Sequence, residues 1–556
     1  MRNDHIVRLK ERLANIYGMN NLSAWIAKNT KYEGKAFGFE GREYQRDIID
    51  EECKTLYVVK CAQVGLSEIF ARWALAACVS QENFTTIYTF PASTDAELFS
   101  KSRLQPVING SKEILNSISR TIDSVDLKQF GANSFLYTRG TFSETGALSV
   151  PADLLIHDEY DRSDMNNVAA YVSRLQAKPT KLRRVFSTPT VAKYGIDLEA
   201  TTSKRKKQIW TCSHCNHAWL PSYHSDVKIP GWDGLKKEIN KGNLKDIRWQ
   251  EAALLCPKCG KEPSSDLQYR EWVWENGEDN YDSITYFVAP FCAPRVISMS
   301  YLVRASTEFK KWSEFCNQAL GETAEDADDM LVRSDIEKCR YDGDLSSTNM
   351  HFMGADMGLM CHIMIGRVAE GRLIVVHREK VFYTNFAKRR LELIRQYRVL
   401  ISVHDLFPYT DIVTTITKYD QNAYGAIYVS RKSTENYTIK DQEEKPEEGK
   451  LNVRAAMINR DIAFDDLMMQ IKRGEVVYTG LDEELISHSL SMKRIQKFDK
   501  SQVMRYVWEK TDGLDHYHHA LLYLKTATSL AGTATGFTKV GAVPLVTSFR
   551  QKLGVS

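Results

Sequence analysis

A lysine-led loop follows an early apolar run of the chain, and its residue types suit phosphate binding. Residues 56–59 lead into Lys60-Cys61-Ala62-Gln63-Val64-Gly65-Leu66-Ser67, and a helical pattern follows. Backbone N–H groups and the helix dipole favour phosphate at such a position. The pattern GxxxxGK[ST] is only partly met, because leucine replaces its lysine and Lys60 its first glycine. We expect Lys60 to fold over the β- and γ-phosphates of ATP, Gly65 to form the turn and Ser67 to hold Mg²⁺; an ordinary strand–turn–helix connection is the alternative.

A second apolar run ends in two carboxylates. Residues 154–156 read Leu-Leu-Ile and are followed by His157, Asp158 and Glu159. An apolar strand with this ending is the Walker B arrangement, in which Asp158 holds Mg²⁺ through water and Glu159 polarises the attacking water. An exposed acidic turn is the alternative. The phosphate loop and this pair together indicate an ATPase.

Five further residues suit roles around a nucleotide. Tyr44 could stack on adenine and Gln45 could read its edge, although an ordinary helix start explains both. Thr188, in a Ser-Thr-Pro turn that ends a strand, could sense the γ-phosphate; a plain turn is the alternative. An arginine finger neutralises transition-state charge. Arg103 and Arg139 are both candidates, and either could be a surface arginine.

Two Cys-x-x-Cys pairs predict a structural zinc ribbon. Four thiolates suit tetrahedral Zn²⁺ and leave no open position for catalysis. The predicted ligands are Cys212, Cys215, Cys256 and Cys259. The basic run 204–207 stands just before the first pair and could contact DNA phosphates, or it could be solvated. The remaining cysteines lack ligand spacing and suit a core: Cys53, Cys61, Cys78, Cys292, Cys316, Cys339 and Cys361.

A second acidic centre is predicted from carboxylates in separate elements. Asp356 and Asp405 each end an apolar run, and Asp515 precedes a helical pattern. Three such carboxylates can bind two Mg²⁺ or Mn²⁺ ions that activate water against a phosphodiester, as in RNase H-like nucleases. A lone aspartate after a strand is more often a turn residue. The alternative ligands are Glu379, Asp411 and Asp512, and the histidines that could assist are His516 and His518.

These residues lie in two regions where apolar runs alternate with helical patterns, which predicts parallel α/β sheets. We expect a helical lead-in over 1–35, an ATPase domain over 36–205 and 286–340, a zinc-ribbon insertion over 206–285, a nuclease domain over 345–530, and a flexible tail over 531–556. The net charge of +3 does not by itself indicate a nucleic-acid partner, so any basic binding surface must be local. No run suits a membrane span or a signal peptide, so a cytosolic protein is expected.

In combination, the motifs resemble the large terminase subunit of tailed bacteriophages, and the lambda-like GpA branch in particular. The motifs that carry this resemblance are the loop at 60–67, Asp158-Glu159, Ser187-Thr188-Pro189, Trp210-Thr211-Cys212-x-x-Cys215, Leu255-Cys256-Pro257-Lys258-Cys259-Gly260 and Trp312-x-x-Phe315-x-Asn317-Gln318-x-Leu320-Gly321-Glu322. The resemblance spans roughly residues 35–530. His519-Ala520 departs from it, because relatives often have Asp-Ala there.

The resemblance implies an ASCE-type P-loop ATPase that moves double-stranded DNA into a prohead, followed by an RNase H-like nuclease that cuts the concatemeric genome. It also implies a small terminase subunit and the portal as partners, and an active ring, commonly a pentamer. The location implied is the host cytoplasm, with transient docking on the prohead and absence from the mature virion. The rival interpretations are a helicase-like DNA translocase with a zinc module and no nuclease, and a non-enzymatic zinc-containing DNA-binding protein.

Overall fold

The computed structural model describes residues 22–142, 150–275, 282–324, 330–343, 350–429, 437–440, 452–498, 504–511 and 513–533. Most of the predicted lead-in, nearly all of the predicted tail, and Asp512 lie outside these ranges. The chain divides into two compact units. The first comprises Met1–Asp329 and Arg494–Val507, and the second comprises Met330–Lys493 and Trp508–Ser556. Among the described residues, no helix has the length and apolar character needed to cross a bilayer.

Most strands of the first unit join one large, mainly parallel sheet. In chain order the strands are β1 (Lys31–Tyr32), β2 (Lys35–Ala36), β3 (Thr55–Lys60), β4 (Thr85–Phe90), β5 (Ile118–Asp123), β6 (Leu127–Phe130), β7 (Ser134–Gly140), β8 (Leu154–Asp158), β9 (Leu182–Ser187), β10 (Lys204–Thr211), β11 (Ala218–Trp219), β12 (Val227–Lys228), β13 (Ala253–Leu254), β14 (Arg270–Trp274) and β15 (Ser283–Val288). The large sheet has the order β11-β10-β15-β3-β9-β8-β4-β7-β6-β5, and β14 also pairs with β10.

Helices cover this sheet and connect its parallel strands. The α-helices are α1 (Leu22–Asn29), α2 (Tyr44–Ile49), α3 (Leu66–Ser80), α4 (Ser93–Phe99), α5 (Gln105–Gly110), α6 (Lys112–Ser117), α7 (Met165–Val172), α8 (Gly195–Thr201), α9 (Tyr223–Asp226), α10 (Met299–Ser306) and α11 (Trp312–Phe315). Two π-helical segments span Ser100–Leu104 and Cys316–Leu320. Short 3₁₀ turns span Tyr160–Arg162, Ser173–Leu175, Lys236–Glu238, Leu244–Asp246, Trp249–Glu251, Leu267–Tyr269 and Pro290–Cys292.

The central strands of the first unit are apolar because both faces of the sheet are covered. All residues of β4 and β8 are buried, as expected for parallel strands between helical layers. Helix α3 is buried along almost its whole length, which explains its alanine-rich sequence. The predicted zinc-ribbon segment begins within β10 and returns to the same sheet through β14 and β15. The segment is therefore joined to the main sheet at both ends.

The second unit is built on a mixed sheet with the order β21-β22-β20-β19-β16-β17-β18-β23. Its strands are β16 (His351–Asp356), β17 (Met360–Ala369), β18 (Arg372–Phe382), β19 (Val399–Asp405), β20 (Ala423–Val429), β21 (Tyr437–Lys440), β22 (Ala455–Asn459) and β23 (Val476–Tyr478). Strands β24 (Met492–Phe498) and β25 (Met504–Lys510) form a separate two-stranded sheet, most of whose residues belong to the first unit. The helices are α12 (Arg333–Glu337), α13 (Tyr383–Tyr397), α14 (Thr410–Tyr419), α15 (Arg460–Lys472), α16 (Glu483–Leu490) and α17 (His516–Thr533).

An antiparallel meander, β16-β17-β18, is extended in the second unit by parallel strands on the β16 side. Helix α17 lies against this sheet, close enough to β16 that a Cβ at Gly354 would come within 2.1 Å of the backbone N of Leu524. Only glycine allows this approach. The start of α17 is thereby fixed relative to β16 and β19, the strands that end in Asp356 and Asp405.

Candidate active sites

The phosphate-loop segment joins β3 to α3, with Lys60 at the end of the strand and Ser67 in the first turn of the helix. Gly65 adopts the left-handed conformation (φ 72°) at the helix start, and a Cβ there would lie 2.8 Å from the side-chain nitrogen of Gln45. Any other residue would therefore be both strained and obstructed. The loop leaves the carboxyl end of β3, next to the ends of β9 and β8. This edge of a parallel sheet is where α/β domains bind ligands.

Lys60 and the Asp158-Glu159 pair meet at that edge. Nζ of Lys60 lies 3.0 Å from Oε1 of Glu159. Although burial opposes it, the charges of Glu159 and Asp158 hold the pKa of Lys60 above its ordinary value. The pKa of Glu159 is lowered by Lys60 and then Arg162, again against burial. Glu159 also adopts a left-handed backbone (φ 51°, ψ 50°), which is uncommon for a non-glycine residue.

Asp158 is a buried carboxylate with unused acceptor capacity. Burial and then the charge of Glu159 raise its pKa to about 7, while Lys60 and the Ser67 hydroxyl act in the opposite direction. Within the described protein its Oδ1 has no hydrogen-bond partner, and Oδ2 lies 3.5 Å from the hydroxyl of Tyr88. A buried orphan carboxylate oxygen beside a serine hydroxyl fits an Mg²⁺ ion held through water.

Tyr44 and Gln45 lie behind the phosphate loop. The Tyr44 hydroxyl donates to the carbonyl oxygen of Val64 at 2.5 Å, and Nε2 of Gln45 donates to the same oxygen at 2.8 Å. Both side chains are buried. In this structure they hold the loop, and their contact with adenine stays a prediction.

The two candidate arginines are placed differently. Nη1 of Arg103 lies 2.8 Å from Oε2 of Glu68, in the first turn of α3. Arg139 instead pairs with Asp126 at 2.8 Å. The structure therefore brings Arg103, and not Arg139, to the helix that follows the phosphate loop of the same chain.

Thr188 is buried in the turn after β9, between the ends of β3 and β8. Sequence reasoning missed the residue that holds this turn, Asp161, which accepts hydrogen bonds from N and Oγ1 of Thr190 at 2.9 and 3.0 Å and from N of Ile196 at 2.7 Å. Burial raises the pKa of Asp161 to about 7, with the hydrogen bonds opposing. The sequence feature that could have identified Asp161 is its position just after the Walker B pair.

The four predicted zinc ligands converge. Their sulfur atoms all lie within 4.8 Å of one another; Cys212 and Cys259 are 3.6 Å apart, and Cys215 and Cys256 are 3.7 Å apart. Thiolates at about 2.3 Å from a tetrahedral ion lie about 3.8 Å from each other, so the set fits zinc. Both knuckles place a left-handed residue four positions after the first cysteine, and these residues are Asn216 (φ 54°) and Gly260 (φ 69°).

Three cations of the basic run before the zinc-ribbon segment pair with two neighbouring carboxylates. Lys206 pairs with Glu51 at 2.5 Å, and both Arg205 and Lys207 pair with Glu275, at 3.1 and 2.8 Å. These carboxylates offset part of the positive charge of the run, and its contact with DNA stays a prediction.

In the second unit, Asp356 and Asp405 end neighbouring parallel strands. Ala355 is paired with His404, so the two aspartates follow in register at the same edge. Burial and then the charge of Asp356 raise the pKa of Asp405 to about 7. Asp515 lies just before α17, and although burial opposes it, His519, Lys510 and His516 hold its pKa below the ordinary value. Asp356 and Asp405 thus lie at one sheet edge, and the link from Asp356 to Asp515 runs through His516, the next residue in the chain.

Histidines occupy part of this region. Nδ1 of His516 lies 2.8 Å from Oδ2 of Asp356, and His519 pairs with Asp515 at 3.4 Å while contacting the Tyr428 hydroxyl at 2.6 Å. Among the described residues of this region, one group brings its possible metal-ligand atoms within 4.8 Å of one another. The group consists of Asp356, His362 and His516. Asp405 and Asp515 lie outside that close group. Sequence reasoning missed His362, which reaches the site only because β17 pairs with β16.

The alternative carboxylates are placed elsewhere. Glu379 is paired with Arg389 at 2.7 Å and with His377 at 2.9 Å, and Asp411 is exposed in the first turn of α14. The ring of His518 stacks on Phe464 at 5.2 Å and is fully buried, so it belongs to the core. Asp512 lies outside the described residues.

These sites define the first unit as an α/β domain with a phosphate-loop nucleotide-binding layout. Residues 41–278 match the family model described as phage terminase large subunit gpA, ATPase domain. This part of the chain is therefore similar to the ATPase domain of the phage terminase large subunit gpA family. A comparison with curated proteins finds no match.

Solved structures of large terminases align over most of the chain. The large terminase of bacteriophage HK97 aligns over 91% of this chain and 99% of its own length, with 10% identity and a TM-score of 0.52. A large terminase from a thermophilic bacteriophage, in complex with ADP, aligns over 86% and 94%, with 8% identity and a TM-score of 0.30. The cobalt-bound large terminase nuclease of the thermophilic phage G20c covers 32% and 80%, with 14% identity and a TM-score of 0.22. Of these three, the HK97 alignment alone is close enough to support a shared fold.

Proposed function

We propose that this chain is a viral DNA-packaging motor that uses ATP hydrolysis to move double-stranded DNA into a prohead and cuts concatemeric genome DNA with a metal-dependent nuclease. The observation that carries the proposal is the meeting of Lys60, Asp158 and Glu159 at the carboxyl edge of the parallel sheet. This meeting occurs inside the region that matches the model of the terminase ATPase domain.

The residues at the edge of the parallel sheet have separate roles in the proposed ATP hydrolysis. Lys60 is charged and buried beside Glu159, so it can move onto the β- and γ-phosphates when a triphosphate enters. Ser67 and Asp158 would hold Mg²⁺, which supplies charge neutralisation between the phosphates. Glu159 is then released to accept a hydrogen bond from the attacking water. Arg103, held by Glu68 within the same chain, is our preferred candidate for neutralising the transition-state charge.

In the nuclease, Asp356, Asp405 and Asp515 would hold Mg²⁺ or Mn²⁺ ions, which activate water and stabilise the leaving oxygen of a phosphodiester. The oxygen donors fit these hard cations. His516 donates a hydrogen bond to Asp356, and this bond and the carboxylate charge raise the pKa of the histidine against burial. An RNase H-like arrangement is supported by the meander β16-β17-β18 followed by parallel β19 and β20.

The cysteine cluster would hold Zn²⁺ as a structural ion. Four thiolates close the coordination sphere, so the ion stabilises the fold of the segment and does no chemistry. The segment is tied into the main sheet through β10 and β14, and loss of the ion would therefore disturb the sheet that carries the phosphate loop.

We also propose the partners of this motor and its location in the infected cell. A motor of this kind acts on double-stranded DNA together with a small terminase subunit and the portal, as a ring that is commonly a pentamer. It would work in the host cytoplasm, docked briefly on the prohead, and would be absent from the mature virion. The overall resemblance to large terminases in motifs and fold supports this assignment.

Two assays on the full chain test the proposal. ATP turnover is measured with and without linear double-stranded DNA, and nicking of supercoiled plasmid is measured with Mg²⁺, with Mn²⁺ and with chelator. We expect DNA-stimulated hydrolysis and metal-dependent nicking. Hydrolysis without any nicking would favour the helicase-like translocase instead, and the absence of both activities would exclude the proposal.

A further inference from the structure

The segment 316–322 touches both the phosphate loop and the turn that contains Thr188. It contains the Asn-Gln-x-x-Gly-Glu part of the terminase-like motif, for which the nucleotide chemistry gives no role. It forms the π-helical turn Cys316–Leu320 and ends at Gly321, which adopts the left-handed conformation (φ 72°). π-helical turns are rare and are frequently found at functional sites.

On one side, the segment contacts the phosphate-loop backbone. The N–H of Ala62 donates to the carbonyl oxygen of Gln318 at 2.6 Å. A Cβ at Gly321 would lie 2.6 Å from N of Cys61 and 2.8 Å from the carbonyl carbon of Lys60. Since these are backbone atoms, the loop itself would have to move to admit any larger residue at this position. The start of the phosphate loop is therefore packed directly against this segment.

On the other side, the segment holds the turn after β9. Nδ2 of Asn317 donates to the carbonyl oxygen of Thr190 at 2.6 Å, and Nε2 of Gln318 lies 3.5 Å from Oγ1 of Thr188. Asp161 holds the same turn from the Walker B side through Thr190. Oδ1 of Asn317 is buried and has no hydrogen-bond partner within the described protein, which is uncommon for a native polar atom.

We propose that Asn317 is a positioning residue that keeps the Thr188–Thr190 turn in register with the phosphate loop, so that the turn can respond to the nucleotide. The inference rests on the proposed ATPase function. It assigns the two ends of one segment to different steps: Gly321 shapes the loop that binds phosphate, and Asn317 sets the turn that acts once phosphate is bound. A segment with a merely structural role would not separate these effects.

Two substitutions on the full chain test this separation. Asn317→Asp keeps size but replaces the donor with an acceptor against the Thr190 carbonyl. We expect it to lower the kcat of DNA-stimulated ATP hydrolysis about tenfold or more, with KM and the Kd of a fluorescent ATP analogue changed less than about threefold. Gly321→Ala displaces the loop, and we expect it to raise KM and Kd about tenfold or more.

Asn166→Asp makes the same chemical change at an exposed position of α7 and serves as the matched control. Thermal melting of each variant separates folding defects from site defects, and Asn317→Asp decides the inference even if Gly321→Ala does not fold. An unchanged kcat for Asn317→Asp would overturn the inference, as would equal rises in its KM and Kd. A wild-type chain that binds and hydrolyses no ATP would overturn the proposed function itself.

Discussion

Nζ of Lys60 and Oε1 of Glu159 lie 3.0 Å apart although ninety-nine positions separate them in the chain. They meet because Lys60 ends β3 and Glu159 follows β8, with only β9 between these strands. A buried lysine and a carboxylate that share one hydrogen bond keep each other charged, and under the proposed function a triphosphate would compete for the lysine. The turn after β9, with Thr188, lies between them in the sheet order.

Replacement of Glu159 by glutamine should separate ATP binding from hydrolysis. The amide would keep the size of the side chain but could not take charge from the attacking water, so we expect kcat to fall by about 10²–10⁴. The Kd of a fluorescent ATP analogue should stay within a few-fold. Glu82→Gln, at an exposed position between α3 and β4, is the control. Full turnover in Glu159→Gln would show that the catalytic carboxylate lies elsewhere.

Lys60→Ala should weaken nucleotide binding itself. A hydrogen bond to a charged group contributes about 1.5–3 kcal/mol, so we expect the Kd for ATP to rise about ten- to hundredfold. Equilibrium binding measures the effect directly, and Lys112→Ala, at an exposed position of α6, is the control. Wild-type affinity in Lys60→Ala would contradict the role given to the loop-initial lysine.

Stability should depend on pH through Asp161. Its side chain is buried and its folded pKa is raised from the ordinary 3.8 to about 7, so between these values the folded state binds more protons than the unfolded state. Folding stability from this group is then greatest at low pH and falls as the pH rises toward about 7, above which it levels off. The measurement is urea denaturation of the wild type and of Asp161→Asn from pH 5 to pH 8.

Asp161→Asn should lose this part of the pH dependence, because its amide does not titrate. Since an asparagine offers one acceptor where the carboxylate uses both oxygens, we also expect a lower stability overall, by about 1–3 kcal/mol. Parallel pH profiles for the two proteins would rule out Asp161 as the titrating group.

Removal of one cluster cysteine should release zinc and lower the Tm. For Cys256→Ser we expect loss of one bound zinc per chain by elemental analysis, and a fall in Tm of about 5 °C or more, as a loss of a few kcal/mol would give. Cys78→Ser is the matched control, because Cys78 lies outside the cluster, beside Thr86 and Phe135, where a hydroxyl finds partners. Equal zinc content in wild type and Cys256→Ser would exclude the site.

Asp356→Asn should abolish plasmid nicking while leaving ATP turnover intact, because the two acidic centres lie on different sheets. The exposed Asp411→Asn is the control. Supercoiled-plasmid nicking in Mn²⁺ and ATP hydrolysis are measured on the same preparations. If both activities fell together in a folded Asp356→Asn protein, the model of two separate sites would be wrong.

The strands and the polar residues at their ends could be predicted from the amino-acid sequence. The apolar runs at 56–59, 154–156 and 400–403 became strands β3, β8 and β19, because a short apolar run that must be covered on both faces is locally recognisable. The paired cysteines could be read directly, since a knuckle is formed by residues close in sequence. The lysine-led loop likewise lies at one strand–helix junction.

Contacts between residues far apart in the chain could not be predicted from the sequence and became known from the fold. Asp161 and Asn317 converge on Thr190 because β8, β9 and the π-helical turn pack at one edge of the sheet. Arg103 pairs with Glu68, whereas Arg139 pairs with Asp126, although both were equal candidates for the arginine finger on the sequence alone. His362 joins Asp356 through the pairing of β16 with β17. Such meetings depend on strand order and on long-range packing, which local patterns of hydrophobicity and spacing do not contain.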